Sequence, residues 1–106
     1  MSGVGVLTVH HEEEGRRTIR AVVSGAPGFH HAGEAASAEE ALELAMALRP
    51  DLALIAAGMP GIDGRETRER LTAALPETVA VLLDDSGVES LTGTLLRELW
   101  ERKGEE

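Results

Sequence analysis

Residues 51–64 read Asp51-Leu52-Ala53-Leu54-Ile55-Ala56-Ala57-Gly58-Met59-Pro60-Gly61-Ile62-Asp63-Gly64, and this stretch decides the fold. Its first half, Leu52 to Ala57, is an apolar run of the length of a buried strand and too short for a core helix. Its second half is dense in the glycine, proline and aspartate that make turns. A helical pattern resumes at Arg65 and runs to Leu75, where Pro76 ends it. Strand, loop and helix in that order form a βα unit of an open α/β sheet, and ligand sites in such sheets lie beyond the carboxyl ends of the strands. Here that end is Ala56-Ala57-Gly58, which offers no reactive side chain.

The same unit repeats on either side. Val4 to Val9 reads as a first strand, followed by a helix that starts around His10-His11-Glu12-Glu13-Glu14. The three glutamates suit the positive end of the helix dipole, and Ile19, Val22 and Val23 give that helix an apolar stripe. Ser24-Gly25-Ala26-Pro27-Gly28 stops it. Phe29 to Ala35 is a mixed stretch suited to an edge strand. Ser37-Ala38-Glu39-Glu40 is a capping box opening a helix with a buried stripe at Ala41, Leu42, Ala45 and Leu48, ended by Pro50. Val79 to Leu83 is apolar throughout, as in a strand buried on both faces. Asp84 to Gly87 reads as a turn, and Val88 to Lys103 as one terminal helix, weakened at Gly93, with Leu91, Leu95, Leu96, Leu99 and Trp100 on one side and a fraying tail from Gly104 to Glu106. Alternating strands and helices predict a parallel sheet with helices on both faces.

Composition narrows the function classes. The 106 residues make a single domain, residues 1–106, with 42% hydrophobic residues and almost no aromatics, so the core must be aliphatic. There is no cysteine, hence no disulfide and no thiolate chemistry. The net charge of −9 argues against this domain contacting nucleic acid, which calls for a basic patch. No apolar run approaches the ~18 residues of a membrane span, and the start of the chain lacks the pattern of a signal peptide. The expectation is a cytoplasmic protein with no membrane attachment.

The pieces Val6-Leu7-Thr8-Val9 followed by a paired position and Glu12, Gly33 to Leu42, Arg49-Pro50-Asp51-Leu52, and Met59-Pro60-Gly61-Ile62-Asp63-Gly64 resemble the receiver domain of bacterial response regulators, and the spacing between them fits as well. The resemblance covers about residues 4 to 83 and is closest to receivers that precede a helix-turn-helix DNA-binding domain. It implies a flavodoxin-like (CheY-like) three-layer α/β/α fold with a parallel sheet in strand order 2-1-3-4, the family's fifth strand being missing here. It also implies a phosphorylation pocket, and this pocket is degenerate. The aspartate that accepts the phosphoryl group falls on Ala56, the acidic pair that holds Mg²⁺ on His10 and His11 with Glu12 beyond them, and the hydroxyl position on Leu83, next to Asp84. The family's lysine has no counterpart, since the sole lysine is Lys103. Alanine accepts no phosphoryl group, and imidazole is a poor ligand for Mg²⁺, which takes hard oxygen donors.

The expected function is therefore a phosphorylation-independent receiver that mediates dimerisation or partner binding in transcriptional control. It is not an enzyme and needs no cofactor or metal. The alternative is a ligand, metal or pH sensor using the vacated pocket near His10, His11 and Ala56. Histidine titrates near neutral pH, but His30 and His31 are adjacent on a strand and point to opposite faces, which works against a four-histidine site. Asp63, Asp84 and Asp85 read most simply as turn residues. No Ser-His-Asp set and no phosphate-binding glycine motif is present. Without a fifth strand, residues 79–83 form an apolar sheet edge that something must cover. The terminal helix is the partner-facing element, through Leu95, Leu99 and Trp100, in a homodimer.

Overall fold

The computed structural model describes residues 3–102; Lys103 and the tail from Gly104 to Glu106 lie outside them. The elements are β1 (Val4–Val9), α1 (Glu13–Gly25), β2 (Phe29–Ala35), α2 (Ala38–Leu48), β3 (Leu52–Ala56), α3 (Gly64–Ala74), β4 (Val79–Leu83), α4 (Asp85–Glu89) and α5 (Gly93–Glu101). The four strands pair in parallel in the order β2-β1-β3-β4. The strand order expected from the resemblance is the one found.

Side-chain alternation along the strands divides the core in two. Val6, Leu52 and Leu54 face α1, α4 and α5, where they meet Ile19, Val23, Val88, Leu91 and Leu96. Leu7, Val9, Ala53 and Ile55 face α2 and α3, where they meet Ala41, Ala45 and Leu71. All five residues of β3 are buried, as the central position of its apolar run requires.

The starts of α2 and α3 are fixed by side chains. Ser37 Oγ accepts from the Glu40 N–H at 3.2 Å, and Glu40 Oε1 accepts from the Ala36 N–H at 2.7 Å, one residue before the position a standard capping box bonds. Asp63 Oδ1 accepts from Glu66 N–H at 2.9 Å and starts α3. Gly64, the first residue of α3, leaves no room for a side chain: a Cβ there would lie 2.1 Å from the Ala56 carbonyl oxygen. The α3 N-terminus is thereby pressed against the end of β3.

Four expectations need correction. The segment after β4 is two helices, not a turn and one helix. Asp84 Oδ1 accepts from Gly87 N–H at 2.6 Å and caps α4, and Thr92 Oγ1 accepts from Leu95 N–H at 3.1 Å and caps α5. Gly93 is accordingly the first residue of α5, not a weak point inside a helix, and it lies against Ala26, 3.6 Å from where a Cβ would be. Leu48 is exposed and Leu42 only half-buried, because α2 faces the sheet through the alanines 38, 41 and 45 and ends at Leu48, where Arg49 turns the chain at φ 48°. Finally, β4 is not buried on both faces: Val79 to Leu82 are half-buried, since no strand lies beyond them among the described residues.

The helix α5 crosses the α1 face of the sheet. Its first residue, Gly93, lies beside Ala26, and its far end brings Leu99 and the following Arg102 to the edge of β4. Leu96 is fully buried between. Arg97 donates to the Pro27 carbonyl at 2.8 Å and lies over the Phe29 ring, 5.7 Å from its centroid.

Candidate functional site

The carboxyl end of β1 delivers His10. Its N–H donates to the Ala35 carbonyl at 3.0 Å, and its own carbonyl accepts from Arg16 Nη1 at 2.9 Å. The ring is only 5% exposed for the residue as a whole. Its Nδ1 accepts from the Glu12 N–H at 3.1 Å, so in the neutral ring the proton sits on Nε2. That nitrogen lies over the backbone of Gly15, where a Cβ would come within 2.3 Å. The helix can pass this close to an imidazole only with glycine at 15. Exposed His11 stacks on His10, with ring centroids 5.3 Å apart.

Burial holds the His10 pKa below its ordinary 6.5, and the neighbouring His11 charge pushes the same way, against Glu12 and Asp85. His31, on β2, is also held low by burial, against the opposing pull of Glu34, and its Nε2 is buried without a hydrogen-bond partner. Glu34 binds both Arg16, at 3.2 Å, and Arg20. His30 lies at the other end of the sheet, beside Gly5 and Asp51. The four histidines are thus spread over three places, and among the described residues no three of His, Asp and Glu are arranged to hold a metal ion.

These two depressed values carry a sign. A histidine whose folded pKa lies below its unfolded value favours the folded state when neutral. That contribution is fully present above pH 6.5 and is lost as pH falls through the folded values. The urea midpoint is expected to drop between neutral and mildly acidic buffer, and the double variant His10→Gln, His31→Gln should flatten the profile in that window. A midpoint that is as steep in the variant as in the native chain would refute the assignment to these two rings.

The end of β3 is inert. Ala56 is 5% exposed, sits in register with Leu83, and contributes to the apolar cluster that includes Met59 and Leu71. Ala57 N–H bonds the Leu83 carbonyl at 2.8 Å, and Gly64 N–H bonds the Ala57 carbonyl at 3.0 Å. Leu83 is buried. Asp63, in the loop after β3, and Asp84, next to Leu83, are both taken up as helix caps.

A cleft of about 300 Å³ opens instead between the start of α1 and α4, lined by His10, Glu12, Glu14, Gly15, Thr18, Asp85, Val88 and Glu89. Of the residues singled out from the sequence, His10, Glu12 and Asp85 meet in this cleft; His11, Ala56, Asp63, Leu83 and Asp84 are not among its walls. Glu14, Thr18 and Glu89 enter it because α4 folds back onto α1, a placement that no local pattern carries. Gly15 did leave a trace, as an isolated glycine in a helical stretch marks a close approach.

Leu95, Leu99 and Trp100 are half-buried against the α1-side core. A second groove, of about 250 Å³, runs along β4 and is lined by residues 79–82 with Arg68, Leu99 and Arg102. Among the described residues no helix is long and apolar enough to cross a membrane.

No family model matches the chain. It is 41% identical over 56 residues to the nitrate/nitrite response regulator protein NarL of Escherichia coli (strain K12), a match covering 53% of this chain and 26% of the relative. It is 33% identical over 78 residues to the response regulator GacA of Pseudomonas viridiflava, covering 74% of this chain and 36% of the relative. The chain thus spans between a quarter and two fifths of the length of these curated relatives. The structure of the signal receiver domain of the putative response regulator NarL from Mycobacterium tuberculosis superimposes with a TM-score of 0.72 at 25% identity, covering 98% of this chain and 80% of that one.

Proposed function

The chain is a receiver domain of the response-regulator type, and from that premise we propose that it works without phosphorylation, as a cytoplasmic module that binds a protein partner in transcriptional control. The observation that carries this reading is the end of β3. Phosphoryl transfer to a receiver needs a carboxylate there, and Ala56 supplies a methyl group packed against its neighbours. Asp63 and Asp84 are each engaged as helix caps, accepting from the Glu66 and Gly87 backbone N–H groups. His10 and His11 stand where hard oxygen ligands for Mg²⁺ would be needed, and His10 Nδ1 is already an acceptor within the chain. What is retained is the scaffold, with Met59 buried and the Met59-to-Gly64 loop leading into a capped α3.

The output of such a module is a contact, and the apolar edge of β4 with the neighbouring α5 is the surface for it. The homodimer expected from the sequence is the narrower form of this reading, with Leu95, Leu99 and Trp100 extending the seam. Incubation with acetyl phosphate and Mg²⁺ tests the central claim: intact mass should stay unchanged. A stable added phosphate on any aspartate would overturn it.

One observation favours a second reading, a pH sensor. The buried His10 ring lies at the floor of a cleft rimmed by Glu12, Glu14, Asp85 and Glu89. Its observable is the loss of stability on the acid side described above.

A further inference from the structure

We propose that the open side of β4 is a docking groove for an extended segment of a partner protein, apolar and carrying carboxylates, which adds to the sheet as a fifth strand. The proposal rests on reading the chain as an interaction module. β4 is the last strand among the described residues, so along Val79–Leu83 the backbone groups directed away from β3 have no ladder partner there. Protein edges are ordinarily blunted by charge, proline or a bulge. Here the register with β3 runs unbroken from Val79 to Leu83, and all five residues are apolar.

The walls say what kind of strand fits. The groove along residues 79–82 has Arg68, from the α3 side of the sheet, on one wall, and Leu99 with Arg102, from the α5 side, on the other. Side chains of an added strand alternate between these two walls. Arg68 makes no ion pair among the described residues, and Arg102 reaches Glu98 only at 3.9 Å. In a chain of net charge −9, an apolar groove flanked by two arginines is a local reversal of sign. Carboxylates on the incoming strand would pair with both walls while main-chain hydrogen bonds hold it. A second copy of this chain would instead bring its own Arg68 and Arg102 to the seam, so the charges favour a different protein.

The test uses the full chain, uniformly ¹⁵N-labelled, and a synthetic peptide of about eight residues in which pairs of valines alternate with pairs of glutamates, so that each face of the strand carries both; this is the length of a typical strand with its ends. Saturable shifts and slowed hydrogen exchange are expected at the amides of residues 79–83. A peptide with lysine in place of glutamate should bind at least about tenfold more weakly, and so should the glutamate peptide to the Arg68→Glu, Arg102→Glu variant. Absence of saturable shifts at β4, or equal binding of the lysine peptide, would overturn the proposal. So would sedimentation showing a dimer whose β4 amides are already protected without peptide. These results leave the acetyl phosphate experiment untouched, so failure of the docking groove and failure of the phosphorylation-independent reading are separable.

Discussion

Replacing Leu96 by alanine should lower the unfolding free energy by about 2–5 kcal/mol, the range for removing a fully buried leucine from a packed core. Leu96 has no exposed surface and sits in the cluster formed by Ile19, Val23, Phe29, Leu54 and Leu91. It is the one residue of α5 that is wholly buried, so it carries the attachment of that helix. For a domain of this size each kcal/mol moves the melting temperature by roughly 4–8 °C, and thermal unfolding followed by circular dichroism reads the loss directly. Leu99→Ala, at a half-buried position, should cost clearly less. A Leu96→Ala chain that melts within a few degrees of the native one would mean that α5 does not dock on the α1 face.

The second large effect concerns Ala56. Restoring an aspartate there looks like a repair of the family's chemistry, but the surroundings argue the reverse. The position is 5% exposed and lies in an apolar cluster. A carboxylate put there without a partner loses its hydration, and burial pushes its pKa up. A tenfold change in a proton-binding constant is worth about 1.4 kcal/mol, so a carboxyl that holds its proton ~100-fold more tightly makes Ala56→Asp about 3 kcal/mol less stable at neutral pH. The sign is testable: with a raised folded pKa the deficit grows as pH rises above the ordinary carboxylate range and shrinks below it. Urea titrations of the native chain and Ala56→Asp at pH near 4 and near 7 should converge at the acid end. The variant should also remain unmodified by acetyl phosphate, because His10 and His11 are still in place of oxygen ligands. Native-like stability at neutral pH would show that the end of β3 is wetter and more accommodating than its packing indicates.

Much of the scaffold could be read directly. β1 and β4 have the bounds that their apolar runs set, and β2, a mixed stretch, begins after Gly28 and ends before the Ser37 cap. Ser37 announced α2 through its own hydroxyl. The last third of the chain was harder. Thr92 and Gly93 look alike whether they interrupt one helix or start another; in the fold Thr92 caps a new helix whose Leu96 is seated in the core against Ile19 and Val23, more than seventy residues earlier. Leu48 looked like core by period, yet the alanines of α2 let that helix sit so that Leu48 falls outside. At the site, Ala56, His10 and His11 stand out in the sequence only as the positions that the resemblance marks as altered. The cleft of Glu12, Glu14, Asp85 and Glu89 does not stand out there, since it exists only because α4 turns back onto α1.

The seating of Leu96 with Val6 and Ile19 also sets an order of events during synthesis. As the chain leaves the ribosome from its amino end, β1 to β4 and the face carrying Leu7 and Ile55 can be completed with α2 and α3. The opposite face, covered in part by α1, is not completed until residues 93–101 have emerged. At ~5–20 residues per second, the growing chain spends seconds with Val6, Leu52 and Leu54 only half covered. The nascent domain is most vulnerable to chaperones and to misassociation on the α1 face, and its protection there arrives with α5.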